Sequence, residues 1–165
     1  MLASWKIDEI SLEPVKVNWF YKKEGEWYGS FNVDEYEYDV SFTREDLKRN
    51  IKDFKIVSFK FSRPDQDVPY AFSKDFNKPL VIKNTVINEI KSYILSNKID
   101  IFIIKSYTKE SSRTKKYKIF AHSLVREFGF IFENEVKLGQ YTYFSLFRNK
   151  ESFLRKDDII KQINN

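Results

Sequence analysis

"IDIFIIK", residues 99–105, is an apolar run broken only by Asp100 before it ends at Lys105. Its length suits a strand buried on both faces, the kind found inside a sheet rather than at its edge. What flanks it decides the fold. Upstream, Pro79 opens a segment in which Ile82, Val86, Ile90, Tyr93 and Ile94 recur at helical spacing, and a proline in the first turn loses no helical hydrogen bond. Downstream, Tyr117, Phe120, Ala121, Leu124 and Phe128 form a second stripe, with Ser111 or Ser112 as N-cap and Gly129 just past the end. Before the first helix, "FKIVSFKFS" (54–62) alternates, with Phe54, Ile56 and Ser58 on one side and Val57, Phe59 and Phe61 on the other. Strand, helix and strand in this order predict that 54–62 and 99–105 lie parallel.

Working outward, "VKVNWFYKK" (15–23), "EWYGSFNV" (26–33) and "YEYDVSFT" (36–43) are β-branched and aromatic runs separated by turn signals at Gly25 and at Asp34-Glu35. An antiparallel meander is the simplest assembly. The polar stretch "REDLKRNIKD" (44–53) reads as a helical turn, and "RPDQDVPYAFSKDFNK" (63–78) as a loop. "FIFENEV" (130–136) and "QYTYFSLF" (140–147) predict a closing hairpin. A C-terminal helix carrying Phe153, Leu154, Ile159, Ile160 and Ile163 follows, packed against the domain edge. The fold class is therefore α+β: a mixed sheet whose N-terminal meander is followed by β-α-β-α-β-β. Residues 1–150 are expected to form one domain and 151–165 a helical tail.

With 16 Phe and 10 Tyr in 165 residues, the core must be rich in aromatic rings. The absence of cysteine excludes a disulfide framework and a zinc–thiolate centre. Lys6 and Asp8 interrupt the N-terminus before any apolar stretch of signal-peptide length, and no later run has the length of a membrane span. A cytoplasmic protein without membrane contact is the expectation. The net charge of +5 comes from 29 basic and 24 acidic residues that are interspersed. Such mixing describes an ordinary solvated surface better than a nucleic-acid footprint.

Parallel strands align their carboxyl ends, so the helices that follow them start on one sheet edge, where open α/β sheets bind ligands. Two segments meet there, 63–78 and 106–112. Arg113 falls on the buried stripe of the second helix, one turn before Tyr117, and can join first-turn N–H groups in holding a phosphate or carboxylate. Its competing reading is a structural ion pair with Asp65, Asp67 or Asp75. Arg63, Lys74, Lys78, Ser112 and Tyr117 complete the anion or cofactor candidates. Lys115, Lys118, His122 and Arg126 point the other way; Lys115, Lys118 and Arg126 are the nucleic-acid candidates. His122, the sole histidine, has no evident carboxylate partner. No glycine-rich phosphate loop, His-x-x-x-His or Gly-x-Ser-x-Gly exists, so no catalytic or metal-binding residue is assigned.

The order of elements over residues 26–148, with "SSRTKKYKIFAHSLVREFGFIF" running into Gly129-Phe130, resembles the GNAT acyltransferase fold. That resemblance implies acetyl-CoA between two splayed parallel strands, its pyrophosphate on the loop before the helix that starts at Pro79. The family's Gln/Arg-x-x-Gly-x-Gly/Ala loop signature is absent: no glycine lies between Gly29 and Gly129, and Val125 stands where a tyrosine acid is frequent. Residues 27–147 are also similar to small phage-encoded proteins, through "FKIVSFKFS", Thr85-Val86-Ile87, "IDIFIIKS" and Ser112-Arg113 with Tyr117. Together these favour a phage-type, non-catalytic protein on a degenerate acyltransferase-like fold. It would bind a host or virion protein, in the host cytoplasm or the virion, without a cofactor. The alternatives are a divergent acyl-CoA-dependent N-acyltransferase and a nucleic-acid-binding module.

Overall fold

Seven strands form one mixed sheet in the order β1-β2-β3-β4-β5-β7-β6. The strands are β1 (Asn18–Lys23), β2 (Glu26–Val33), β3 (Tyr36–Glu45), β4 (Ile56–Ser62), β5 (Ile101–Tyr107), β6 (Phe132–Leu138) and β7 (Tyr141–Phe147). Helix α1 (Pro79–Ser96) joins β4 to β5 and α2 (Ser111–Phe128) joins β5 to β6. Two short helices, α3 (Lys150–Phe153) and α4 (Lys156–Asn164), close the chain. The computed structural model describes residues 13–23, 25–47, 54–62, 79–107 and 111–164.

β1 to β4 form the expected antiparallel meander. β4 and β5 pair in parallel, and β7 lies antiparallel between β5 and β6. Both long helices pack on one face of the sheet. There Ile82, Ile90 and Leu124 share a buried cluster with Val57, Phe59, Phe102 and Ile104. Lys91 and Glu127 link the two helices by an ion pair of 3.0 Å. On the opposite face, Ile159 and Ile160 of α4 pack on Ile56, Ile101, Ile103 and Phe147. β4 thus uses both faces as its alternation indicates, and β5 is buried from Ile101 through Ile104.

Three local expectations are corrected. β3 runs on to Glu45 because its last residues still pair with Ser58, Val57 and Ile56. The helical turn expected at 44–53 is therefore strand at its start, and 48–53 lie outside the described residues. Ser111 is already inside α2, so neither serine precedes the helix as its N-cap. Gly129, at φ 73°, does occupy the left-handed position that ends α2.

Trp19 explains why Gly29 interrupts an aromatic strand. A Cβ at Gly29 would lie 2.7 Å from the Trp19 ring and 2.7 Å from Val17 Cγ1. The indole spans that gap to reach α1, where its Nε1 donates to Glu89 Oε2 at 3.2 Å. Gly29→Ala is expected to lower stability by about 1–3 kcal/mol, the usual range for overpacking. A shift in the urea midpoint at constant slope would measure it.

Candidate ligand-binding site

Four rungs join β4 to β5: Ile56↔Ile101, Val57↔Phe102, Ser58↔Ile103 and Phe59↔Ile104. Both strands continue beyond the last rung, but not with each other. Lys60, Phe61 and Ser62 stay paired with Ser41, Val40 and Asp39 of β3. Lys105, Ser106 and Tyr107 stay paired with Tyr143, Thr142 and Tyr141 of β7. Each strand stays with its outer neighbour while their mutual pairing ends, and this break in the ladder at the carboxyl ends of the parallel pair is the opening. Successive residues of a strand aim their N–H and C=O groups at opposite neighbours. Part of each three-residue end therefore directs backbone donors and acceptors away from its paired neighbour and toward the opening.

At the other end the same strands are pinned. Lys55 N–H donates to Asp100 Oδ2 at 2.8 Å, and Asp100 N–H donates to Lys55 carbonyl at 2.9 Å. The pair is thus closed at its start and open at its finish. That difference makes the opening a feature of these sequences rather than of weak pairing throughout.

The register would place Lys60 opposite Lys105 as the next rung, since Phe59 faces Ile104. Both lie on the face away from α1 and α2, continuing the alternation Ile56, Ser58, Lys60 and Ile101, Ile103, Lys105. Lys105 is half-buried, with its Nζ 4.0 Å from the centre of the Tyr141 ring and 5.8 Å from that of Tyr143. Burial lowers the Lys105 ammonium below its ordinary pKa, the charge of Lys60 lowers it further, and Glu45 works against both. Tyr143 is raised, first by burial, then by Tyr141 and Glu45, so its phenol keeps its proton at neutral pH. The Glu45 carboxylate accepts a hydrogen bond from the Ser58 hydroxyl at 2.8 Å. Ser58, Lys60, Lys105 and the buried Tyr143 thus share one face toward the open end, and Glu45, whose backbone pairs with Ile56 at the first rung, reaches Ser58 on that face with its side chain.

On the helix face, Ser106 is fully buried and its hydroxyl shares a hydrogen bond of 3.0 Å with Thr114 Oγ1. Thr114 also donates to the Tyr107 carbonyl at 3.4 Å. These contacts hold the first turn of α2, which contains Ser112 and Arg113, against the end of β5. Tyr117 follows one turn later, partly buried against the core. Arg63, Lys74 and Lys78 lie outside the described residues.

Lys115, Lys118, His122 and Arg126 are all on the exposed side of α2, as expected. Two of them face carboxylates of β6: Lys118 Nζ lies 3.5 Å from Glu135 Oε1, and His122 Nδ1 lies 2.8 Å from Glu133 Oε1. The expectation that His122 lacks a carboxylate partner is corrected. The carboxylate comes from the next strand, eleven residues on, where helical spacing could not point to it. The basic face narrows to Lys115, Lys116 and Arg126.

No family model, curated protein or solved structure matches the chain. The site must therefore be read from its own geometry. Among the described residues no group of His, Asp or Glu could hold a metal ion, and no helix is long and apolar enough to cross a membrane. An open depression of about 780 Å³ lies beside Asn97, Asp100, Phe128 and Arg148, at the pinned end of the parallel pair. A groove of about 300 Å³ lies between Trp19, Trp27, Glu89 and Tyr93. Neither reaches the opening.

What sequence reading missed is the second face. Lys60 and Lys105 are the charged residues in two strands that otherwise hold apolar residues, serines and one tyrosine, and that was the available signal. Their juxtaposition depends on the β4–β5 register, which no local pattern carries.

Proposed function

We propose that the chain is a divergent acyl-CoA-dependent N-acyltransferase with a GNAT-like arrangement of strands, binding its thioester in the opening between β4 and β5. The observation that carries this reading is the end of the parallel ladder at Phe59 and Ile104 while both strands run on. A ligand with an extended, amide-bearing arm can lie there as a short extra strand and satisfy the backbone groups on both sides. The diphosphate end then faces the start of α1 and the first turn of α2, where helix N–H groups favour negative charge and whose sequence supplies Arg113. The basic residues of 63–78, Arg63, Lys74 and Lys78, belong to the segment that leads into α1.

The transfer needs little from the protein beyond position. An amine adds to the thioester carbonyl, the C–N bond forms, the C–S bond breaks and the thiolate leaves. The proton that the amine must lose needs an acceptor, and on this reading the Glu45 carboxylate, hydrogen-bonded to Ser58 one alternation before Lys60, is the candidate.

Calorimetric titration with acetyl-CoA tests the reading: saturable binding is expected, together with thiol release when an amine acceptor is added. Arg113→Ala should weaken the binding by about 1.5–3 kcal/mol, as loss of a charge-assisted hydrogen bond does. The absence of saturable heat with a panel of acyl-CoA thioesters ends it. Binding that is unchanged in the Arg113 variant removes that residue from the site.

A second reading is favoured by the missing loop glycines and by Val125 in place of a tyrosine. It is a phage-type, catalytically silent protein of the same architecture that binds a host or virion protein. Acetyl-CoA titration separates the two, since only the first requires the cofactor to bind.

A further inference from the structure

The lysines at the opening pose an electrostatic problem that the other described residues do not solve. Like charges set opposite each other across a sheet oppose pairing. A half-buried ammonium is held at a free-energy cost unless an opposite charge meets it. Among the described residues neither Lys60 nor Lys105 has a carboxylate within ion-pair distance. Glu45, the carboxylate that acts on Lys105, is engaged by Ser58. The Tyr141 ring offers Lys105 its face at 4.0 Å, which attracts a cation but does not neutralise it. A strand intended only to pack would carry an apolar residue at this position, as β5 does at Ile101 and Ile103 on the same face.

We propose that Lys60 and Lys105 form an oxyanion-binding subsite on the face of the sheet away from α1 and α2, which takes a carboxylate or phosphate carried by the acceptor substrate. The side of the sheet assigns the anion to the acceptor rather than to the cofactor. α1 and α2 pack on the first face, so their N-termini and the diphosphate they attract lie on that side. Lys60 and Lys105 are on the other, where the partly exposed Tyr141 ring lies beside Lys105 and can pack against the body of a small ligand, while Tyr143 is buried in the core of that face. An anion between the ammonium groups removes their mutual repulsion and sits within reach of the thioester end of the opening. This assignment of substrate class rests on the acyltransferase reading above; the anion subsite itself does not.

The experiment is an NMR titration of the full chain with inorganic phosphate and, separately, with malonate, reading the side-chain Cε–Hε signals of Lys60, Lys105 and the exposed control Lys115. The lysine signals at the opening should shift saturably while that of Lys115 does not. The apparent pKa of Lys105 should rise on binding, because a bound anion favours its charged form. Lys60→Gln should weaken binding about tenfold or more. Lys105→Met should abolish it while raising stability at neutral pH, since a group whose folded pKa is lowered costs stability until the pH rises through its ordinary value. A merely structural lysine would do the reverse and destabilise the fold when removed.

Titrations repeated with saturating coenzyme A separate the two claims. Anion binding that persists beside bound coenzyme supports the acceptor assignment. Displacement of the anion by coenzyme A overturns that assignment and gives the lysines to the cofactor phosphates. Anion binding without any coenzyme binding keeps the subsite and overturns the acyltransferase reading. Shifts no larger at Lys60 and Lys105 than at Lys115 overturn the subsite.

Discussion

Phe102→Ala is expected to lower stability by about 3–5 kcal/mol, the range for truncating a fully buried phenylalanine. The reason lies in how few backbone contacts join the halves of the sheet. β1 to β4 form one antiparallel block and β5 to β7 another, and only four rungs of parallel pairing connect them. The side chains across that seam must supply what the shortened ladder does not. Phe102 lies 6.5 Å from Phe59 across the seam and 6.4 Å from Phe42 beyond it, centroid to centroid. Tyr93 of α1 then stacks on Phe42 at 4.0 Å with the rings nearly parallel. Removing Phe102 leaves a cavity in the middle of this row and loses its aromatic contacts, each worth about 0.5–1.5 kcal/mol beyond area burial. Phe102→Leu, which refills most of the volume, should cost well under half as much. Urea unfolding of both variants checks this; an Ala variant as stable as the parent would show that the seam is held by something other than these rings.

The same seam shows how far the sequence could be read. The apolar run of β5 and the alternation of β4 identified the two strands, their faces and their common direction, because burial on one or both faces leaves a direct trace in residue order. The stripes on α1 and α2 did the same for the helix layer. Alternation states which face a residue occupies and is silent about its neighbour on the next strand. Lys60 and Lys105 could be seen as charges in apolar strands, but their meeting depends on a pairing offset set by packing along the whole α1 crossover. The end of the ladder is equally hidden, since it arises from each strand following its outer partner. His122 with Glu133 is a third case, a contact between a helix face and the strand after it. That Arg113 falls in the first turn of the helix after β5 could be read from order alone, because a start signal and an apolar stripe mark that helix.

Arg148→Ala is expected to cost about 2–4 kcal/mol, and its physics is of the opposite kind. Arg148 lies just past β7, at the pinned end of the sheet. Its Nε donates to the Ile99 carbonyl at 2.6 Å and a terminal nitrogen to the Phe128 carbonyl at 2.7 Å, while its backbone N–H donates to Asp100 at 3.0 Å. The guanidinium carbon sits 4.4 Å from the centre of the Phe130 ring. Phe128 ends α2, where helix carbonyls lack intrahelical partners and the dipole favours a cation. One side chain therefore closes the end of α2 and the entry to β5 together. Alanine would leave two partly buried carbonyls without donors, each at about 1–3 kcal/mol, less whatever water recovers. Arg148→Lys should restore less than half of the loss, because a point donor on a flexible stem cannot hold two acceptors at fixed angles. Denaturation midpoints give the cost. Ligand titration gives the discrimination, because the opening lies at the far end of β5 and its affinities should be unchanged in folded Arg148→Lys protein. A matching loss of affinity would mean that the pinned and open ends of the parallel pair are mechanically coupled.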